Sequence, residues 1–356
     1  MSARAIVADR PLRIAVVAPV AQCVPPTNSG SIEATTDLLV RGLSARGHEV
    51  TLFATASSST PITLHATFDR GYNEDTSLWP WELCELFNIA AAVEQADRFD
   101  VIHAQAEYAP LALAFQRVTP TPIIQTLHHA PTVHEVALWR RYPEAPFIAI
   151  SRAQAAQLEG LRVIETIHHA VDTERLQFES TPDDYLLFLG RFTEGKGAVE
   201  AIATARRTNM RLILAAAEND YFREHVAPAV DGTRIIFQGE VAADAKSALL
   251  GRARALLYPL QADEPFGLVL PEAMACGTPV AALNRGAVAE IVDDGVTGGV
   301  FDSLDQLVSG LPQVLRLDRT RVRARAVERF SPERMVAAHI KIYAALLDER
   351  RVARTI

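Results

Sequence analysis

Short apolar, β-branched runs recur along the whole chain, and they are continuous rather than alternating. They are Leu12–Ala18, Val50–Phe53, Val101–His103, Ile123–Leu127 and Phe147–Ile150, followed by Tyr185–Leu189, Arg211–Ala215, Arg234–Phe237, Ala255–Tyr258 and Pro279–Ala282. A strand that is apolar at every position is buried on both faces, as in a parallel sheet sandwiched between helices. The stretches between the runs carry helix signals. Ile32–Arg46 ends at Gly47 with a charged last turn, and Ala198–Arg207 and Ala242–Gly251 read the same way. Strand–helix alternation predicts an α/β class of doubly wound sheets. At 356 residues the chain exceeds what one core usually supports, so two domains are expected.

A boundary fits where Glu179-Ser180-Thr181-Pro182-Asp183-Asp184 separates two βα series. The expected organisation is an extension over 1–11, a Rossmann-like domain over 12–170, a linker over 171–183, a second Rossmann-like domain over 184–332, and a C-terminal helix and tail over 333–356. In that tail Val336, Ile340, Tyr343 and Leu347 fall at helical spacing, a stripe that packs across one or both domains.

The formal charge of −8 argues against nucleic acid as a partner. Cys23, Cys84 and Cys276 have no metal-type spacing and no even count, which fits buried reduced thiols in a cytosolic protein. The first residues include Arg4, Asp9 and Arg10 and no apolar signal core, and no run is long enough to span a bilayer. A cytoplasmic location without an integral membrane segment is therefore expected. Oligomeric state is left open, a homodimer included.

In open α/β sheets ligands bind beyond the carboxyl ends of the strands, and the chemistry-bearing motifs of this chain cluster there. After Ala255–Tyr258 comes Asp263-Glu264-Pro265-Phe266-Gly267-Leu268-Val269-Leu270-Pro271-Glu272, with two carboxylates eight positions apart. Pro271 suits the first position of a helix, and a helix start beside an acid suits a nucleotide's phosphate and ribose. The same letters also fit an ordinary first-turn Glu with a surface Glu upstream. After Tyr185–Leu189 comes Gly190-Arg191-Phe192-Thr193-Glu194-Gly195-Lys196-Gly197, where glycines admit a ligand and Arg191 and Lys196 offer two cations to a diphosphate. That segment nearly matches a phosphate-binding loop, but Gly197 stands where Ser or Thr would ligate magnesium. No GxGxxG follows Leu12–Ala18; Pro25-Pro26-Thr27-Asn28-Ser29-Gly30-Ser31 leads into a helix instead, with Gly30 at its start.

His103 and His128 each end a run, where a histidine faces the ligand cleft or serves as a satisfied structural group. His168-His169 reads as linker structure. Trp79-Pro80-Trp81 and Trp139-Arg140-Arg141-Tyr142 are open between core anchoring and stacking on a substrate, core anchoring being the preferred reading. Neither HExxH nor Asp-x-Asp occurs, so metal-independent chemistry is expected.

Together these residues resemble the retaining GT-B glycosyltransferases of family 4, in particular short bacterial members that act on soluble acceptors. The resemblance spans roughly residues 12–345. It rests on the E-x7-E pattern of Glu264 and Glu272 with Pro-Phe-Gly between them, and on the Gly190, Arg191, Lys196, Gly197 element. It rests also on the segment Asn284-Arg285-Gly286-Ala287-Val288-Ala289-Glu290-Ile291-Val292 with Gly295-Val296-Thr297-Gly298. The resemblance implies an acceptor-side domain and a nucleotide-sugar donor domain facing across a cleft, with the C-terminal helix crossing back. It implies a nucleoside-diphosphate sugar, a UDP-sugar, as co-substrate without a cofactor, and a small-molecule or glycan acceptor. Arg191 and Lys196 would contact the diphosphate and Glu272 the ribose, with Glu264 and His128 beside the transferred sugar. Phe266, Gly267 and Leu268 would line the sugar–phosphate site, Val241 would border the base, and Gly30 would face the phosphate or acceptor. Two departures fall on the acceptor half: Asn28-Ser29-Gly30-Ser31 where many relatives pair glycines, and His103-Ala104-Gln105 where many have His-x-His. A nucleotide-sugar epimerase and a non-catalytic nucleotide-sugar-binding protein of the same fold are the alternatives.

Overall fold

The structure is a computed structural model that describes residues 10–27 and 30–355. Asn28 and Ser29 of the glycine loop, and residues 1–9 of the expected extension, lie outside them. Along the chain the elements are β1 (Arg13–Val17), α1 (Ser31–Ala45), β2 (Glu49–Ala54), β3 (Thr63–Ala66), α2 (Trp81–Val93), β4 (Val101–Ala104), β5 (Ile123–Thr126), α3 (Val133–Trp139), β6 (Pro146–Ala149), α4 (Arg152–Ala155) and β7 (Arg162–Thr166). Next come β8 (Leu186–Leu189), α5 (Ala198–Thr208), β9 (Leu212–Ala215), β10 (Ile235–Gly239), α6 (Ala243–Arg252), β11 (Ala255–Tyr258), α7 (Val269–Ala275), β12 (Val280–Leu283), α8 (Val288–Ile291) and β13 (Gly298–Phe301). The chain ends in three helices, α9 (Leu304–Val314), α10 (Arg319–Phe330) and α11 (Pro332–Thr355).

Two compact units result. The first contains residues 1–170 and 332–356, the second 171–331. Each is built on one all-parallel sheet, in the order β3-β2-β1-β4-β5-β6-β7 in the first unit and β10-β9-β8-β11-β12-β13 in the second. In both sheets the chain winds outward in one direction, then returns to start again on the other side. The switch points are therefore β1/β4 and β8/β11, the positions beyond whose strand ends open α/β sheets generally bind ligands.

Three strands carry no continuous apolar run: β3, β7 and β13. All lie at sheet edges. An edge strand is covered less, so its sequence is mixed; β3 and β7 have no fully buried residue. The expected linker is also part of a unit. Val171 N donates to Phe330 O (3.0 Å), Glu179 N to Cys276 O (3.2 Å) and Asp183 N to Arg252 O (2.7 Å), all within the second unit. Its polar composition satisfies the requirements of a surface strap as readily as those of a free linker.

The helix α11 belongs to the first unit. Met335, Val336, Ile342, Tyr343 and Leu346 are buried in its core with Ile14, Val16 and Leu52. Gly42 makes room for this: a Cβ there would lie 2.4 Å from Val336 Cγ2. Ile340 and Leu347 of the apolar stripe pack partly buried against the same cluster. The second unit has a core of its own, with Leu186, Phe188, Phe192, Leu212, Leu257 and Leu311 among its members. All three cysteines are buried and free. No helix among the described residues is long and apolar enough to cross a membrane.

Candidate active site

In the second unit the two loops beyond β8 and β11 are built against each other. Gly197 opens α5 with φ +77°, and a Cβ there would lie 1.9 Å from Pro259 O, just past β11. Gln261 N donates to Gly195 O at 2.9 Å, which ties the loops together. This close approach brings Lys196, in the turn before α5, onto Glu264, in the loop after β11. The Lys196 ammonium and the Glu264 carboxylate form a hydrogen-bonded ion pair, and both side chains are largely covered. Tyr258, at the end of β11, also hydrogen-bonds to Glu264, and burial together with that carboxylate holds its phenol well above the usual range.

The segment 284–290 supports this loop from behind. Gly286 N donates to Asp263 Oδ1 (2.8 Å) and Ala287 N to Glu264 O (2.9 Å). Gly286 has φ +55°, and a Cβ there would lie 2.3 Å from Glu264 O. A side chain at this position would push the Glu264 backbone away.

The helix α7 starts at Val269, two residues earlier than the proline suggests, so Pro271 is its third residue. A proline fits there because the first N–H groups of a helix have no intrahelical acceptor. Glu272 therefore sits in the helix proper, its N–H donating to Leu268 O at 3.2 Å. Its carboxylate pairs with Lys246 of α6, Nζ to Oε1 2.5 Å. Phe266 is buried, with its ring 6.2 Å from that of Phe330. Gly267 has φ +80° and stands where a Cβ would come 2.9 Å from Tyr258 Oη. Leu268 and Val241 are half-buried. Arg191 is exposed and, among the described residues, forms no ion pair.

In the first unit Gly30 precedes α1, its carbonyl accepting from Ala34 N at 3.0 Å. A Cβ on Gly30 would lie 2.5 Å from Gln22 Nε2 and 2.8 Å from Glu33 Oε2. The ground around Gly30 is thus acidic. Burial raises Glu33 from 4.5 to about 7. Burial likewise raises Glu85, whose two oxygens accept from Val20 N (2.7 Å) and Glu107 N (3.2 Å), to about 8.

His128 lies just past β5, half-buried. Its Nε2 is 2.6 Å from Gln105 Oε1, and its Nδ1 is 3.4 Å from His169 Nε2. The two imidazoles stack with centroids 5.2 Å apart. His169, read from the sequence as linker structure, is thus buried against His128; its approach across the end of β7 has no local signature. His103 is fully buried, between Tyr343 Oη (2.7 Å) and Thr126 Oγ1 (2.7 Å). Burial holds both His103 and His128 well below the usual imidazole range. Of the tryptophans, Trp139 is in the core but Trp79 is 76% exposed, against the core reading, because it precedes α2 at the Pro80 turn.

Lys196 with Glu264, and Glu272 with its helix, are brought together in the second unit, while Gly30 and His128 belong to the first. Lys246, Tyr258, Gln105 and Tyr343 complete these arrangements, and no sequence motif marked them as partners.

Two family models match the chain in tandem: Glycosyltransferase Family 4 over residues 32–175 and Glycosyl transferases group 1 over residues 172–329. Among curated proteins the chain is similar to glycogen synthase of Mycobacterium tuberculosis, with 26% identity over 82% of this chain and 83% of that protein. It is also similar to phosphatidyl-myo-inositol mannosyltransferase of Mycobacterium leprae, with 26% identity over 93% of this chain and 96% of that protein. Among solved structures it is similar to AviGT4, a glycosyltransferase involved in avilamycin A biosynthesis. There the TM-score is 0.72 at 26% identity, covering 95% of this chain and 99% of that one.

Proposed function

The chain belongs to the family 4 glycosyltransferases of GT-B fold, and from that premise we propose that it moves a sugar from a nucleoside-diphosphate sugar, a UDP-sugar, to a hydroxyl of a small-molecule or glycan acceptor. We further propose that the anomeric configuration is retained and that no metal is required. The observation that carries this reading is the meeting of Lys196 and Glu264 at the β8/β11 switch point of the second sheet. An ammonium there suits a diphosphate, and a carboxylate beside it suits the hydroxyls of the sugar that the diphosphate carries.

When the diphosphate leaves, negative charge builds on its oxygens. In this reading Lys196, with Arg191 from the same loop, takes up that charge, as preorganised donors do in many enzymes. Glu264 is held by Lys196, by Tyr258 and through its own backbone. A carboxylate so engaged orients a sugar rather than attacking it. The acceptor hydroxyl then approaches on the face of the leaving group and passes its proton to the departing diphosphate, so no strong protein base is required. Glu272, oriented by Lys246, serves the ribose.

The test is a thermal-shift panel of UDP-, GDP-, ADP- and TDP-sugars, since a donor that binds the folded state raises its apparent stability. The UDP-sugar that shifts the melt is then supplied with acceptors, with and without a chelator, and the product's anomeric configuration is read by NMR. A shift with no nucleotide overturns the reading. So does conversion of the donor sugar to an epimer when no acceptor is present.

A further inference from the structure

One helix of the second unit grips the ends of three others. An arginine-rich helix such as α10 suggests a solvated face, yet Arg319, Arg323 and Arg329 turn to main-chain carbonyls, beside the buried Val322, Ala326 and Phe330. Arg319 donates to Gly251 O and Ala253 O (2.9 Å) at the end of α6, and to Glu179 O (2.8 Å) of the strap over 171–183. Arg323 donates to Ala275 O at the end of α7, and to Thr173 O (3.1 Å) and Leu176 O (2.8 Å) of the same strap. Arg329 donates to Glu290 O and Ile291 O (3.0 Å) at the end of α8, and to Asp293 Oδ1 (2.6 Å).

The last carbonyls of a helix have no intrahelical partner and carry the negative end of its dipole. A guanidinium answers both needs. It is always cationic, and its planar fork reaches the carbonyls of two segments at once, which a point-charge ammonium does not. Each helix so held carries part of the candidate active site. Lys246 is on α6 and its partner Glu272 on α7. Gly286 and Ala287, just before α8, hold Asp263 Oδ1 and Glu264 O through their N–H groups. With seven residues in α7 and four in α8, these helices are too short to absorb a displacement at the gripped end by bending.

Resting on the glycosyl-transfer reading, we propose that Arg319, Arg323 and Arg329 are positioning residues, through which α10 sets Lys246 and Glu272 by way of α6 and α7, and Glu264 by way of α8. The two routes have different kinetic consequences. Glu272 serves the nucleotide, so freeing α6 or α7 weakens the binding of UDP itself. Glu264 serves the transferred sugar, which UDP lacks, so freeing α8 slows transfer and leaves UDP binding intact. A misplacement of about 1 Å that originates far from the chemistry can lower a rate about a hundredfold.

The experiment compares the full chain as wild type, Arg319→Met, Arg323→Met and Arg329→Met with Arg321→Met, which alters an exposed arginine of the same helix. Calorimetry gives the Kd for UDP, steady-state kinetics give kcat with the donor identified by the thermal-shift panel, and melting temperature reports stability. Hydrogen exchange is followed on the nucleotide-free chain. In Arg319→Met and Arg323→Met the Kd for UDP is expected to rise about tenfold or more. In Arg329→Met kcat falls by about the same factor, with the Kd for UDP within about twofold of wild type. Exchange quickens within 264–275 and 284–291 and keeps its wild-type rate in β8, β9 and β11. Arg323→Lys and Arg329→Lys keep the charge without the fork; they carry the test if the methionine variants do not fold, and the same split is expected of them. UDP affinity and kcat that fall together in every variant, or that match Arg321→Met, overturn the proposal. If no nucleotide binds and no sugar is moved, the glycosyl-transfer reading fails. Exchange then decides on α10 by itself: local quickening supports its positioning role, and wild-type exchange in all variants overturns it.

Discussion

Glu264 has Lys196 and Tyr258 on its carboxylate and Ala287 N on its carbonyl. Removing Lys196 therefore does two things at once: it deletes a cation for the diphosphate and releases Glu264. Lys196→Ala is expected to lower kcat/KM by about 10²–10³-fold, the cost of one preorganised donor to a developing anion. Wild-type kcat/KM in that variant would remove the phosphate assignment. Lys246→Met acts differently, since it frees Glu272 from its partner. If Glu272 binds the ribose equally in ground and transition states, donor KM rises about tenfold with kcat held; steady-state kinetics separate the two outcomes. In the first unit the buried carboxyls give a pH signature. Folding raises Glu33 from 4.5 to about 7 and Glu85 from 4.5 to about 8, so between those values the folded state holds protons that the unfolded state has lost. Stability contributed by these groups is present at low pH and falls as pH rises through that window. His103, His128, His169 and His339, whose imidazoles burial holds below their usual range, act with the opposite sign below about pH 6.5. The carboxyl contribution is therefore read as a difference: the melting temperature of Glu33→Gln relative to wild type should rise from about pH 5 to pH 8, and an unchanged difference would contradict it. At this scale the legible residues were those flanked by glycine or proline, because punctuation marks a functional loop. Lys246 meets Glu272 from a different helix, and Gln105 bridges two strands, so neither pairing has a local spacing to betray it.

Among elements, the segment leading into α8 has the clearest structural duty, since it buttresses the Glu264 loop. Gly286→Ala introduces a Cβ at φ +55° and within 2.3 Å of Glu264 O. The conformational cost is about 1–2 kcal/mol, but the displacement falls on the backbone that carries Glu264. Activity is therefore expected to fall by a larger factor than the melting temperature accounts for, with circular dichroism unchanged. Normal kcat with a lowered melting temperature would mean that the loop re-forms around the methyl group. The match of Gly286 to a family pattern was visible in the sequence; its reason, close backbone contact with a residue 22 positions earlier, was not. Strands were legible where helices cover both faces, and three of the four edge strands, β3, β7 and β13, were not; the fourth, β10, kept an apolar run. The apolar runs record burial rather than strand conformation itself, and β3 and β7 are strands without that burial.

At the scale of the whole molecule the decisive element is α11, which continues the chain from the second unit yet completes the core of the first. Its apolar stripe was readable, because helical spacing reports which residues are buried. Which unit receives it was not, because the receiving surface around Gly42 lies far upstream in the chain. Ending the chain after Ser331 would strip Val336, Ile342, Tyr343 and Leu346 from the first core. At about 1.5–3 kcal/mol for each buried side chain, the loss is roughly 6–12 kcal/mol, which matches the entire stability of an ordinary domain. The second unit keeps its own core, Phe188, Phe192, Leu212 and Leu257 included, and keeps Lys196, Lys246, Glu264 and Glu272. The truncated chain is therefore expected to give a single cooperative calorimetric transition, still raised by the nucleotide that stabilises the full chain. Limited proteolysis should cut within residues 12–170 and spare 171–331. Protection of both regions would show that the first unit holds without α11, and loss of both would show that the second unit does not fold alone.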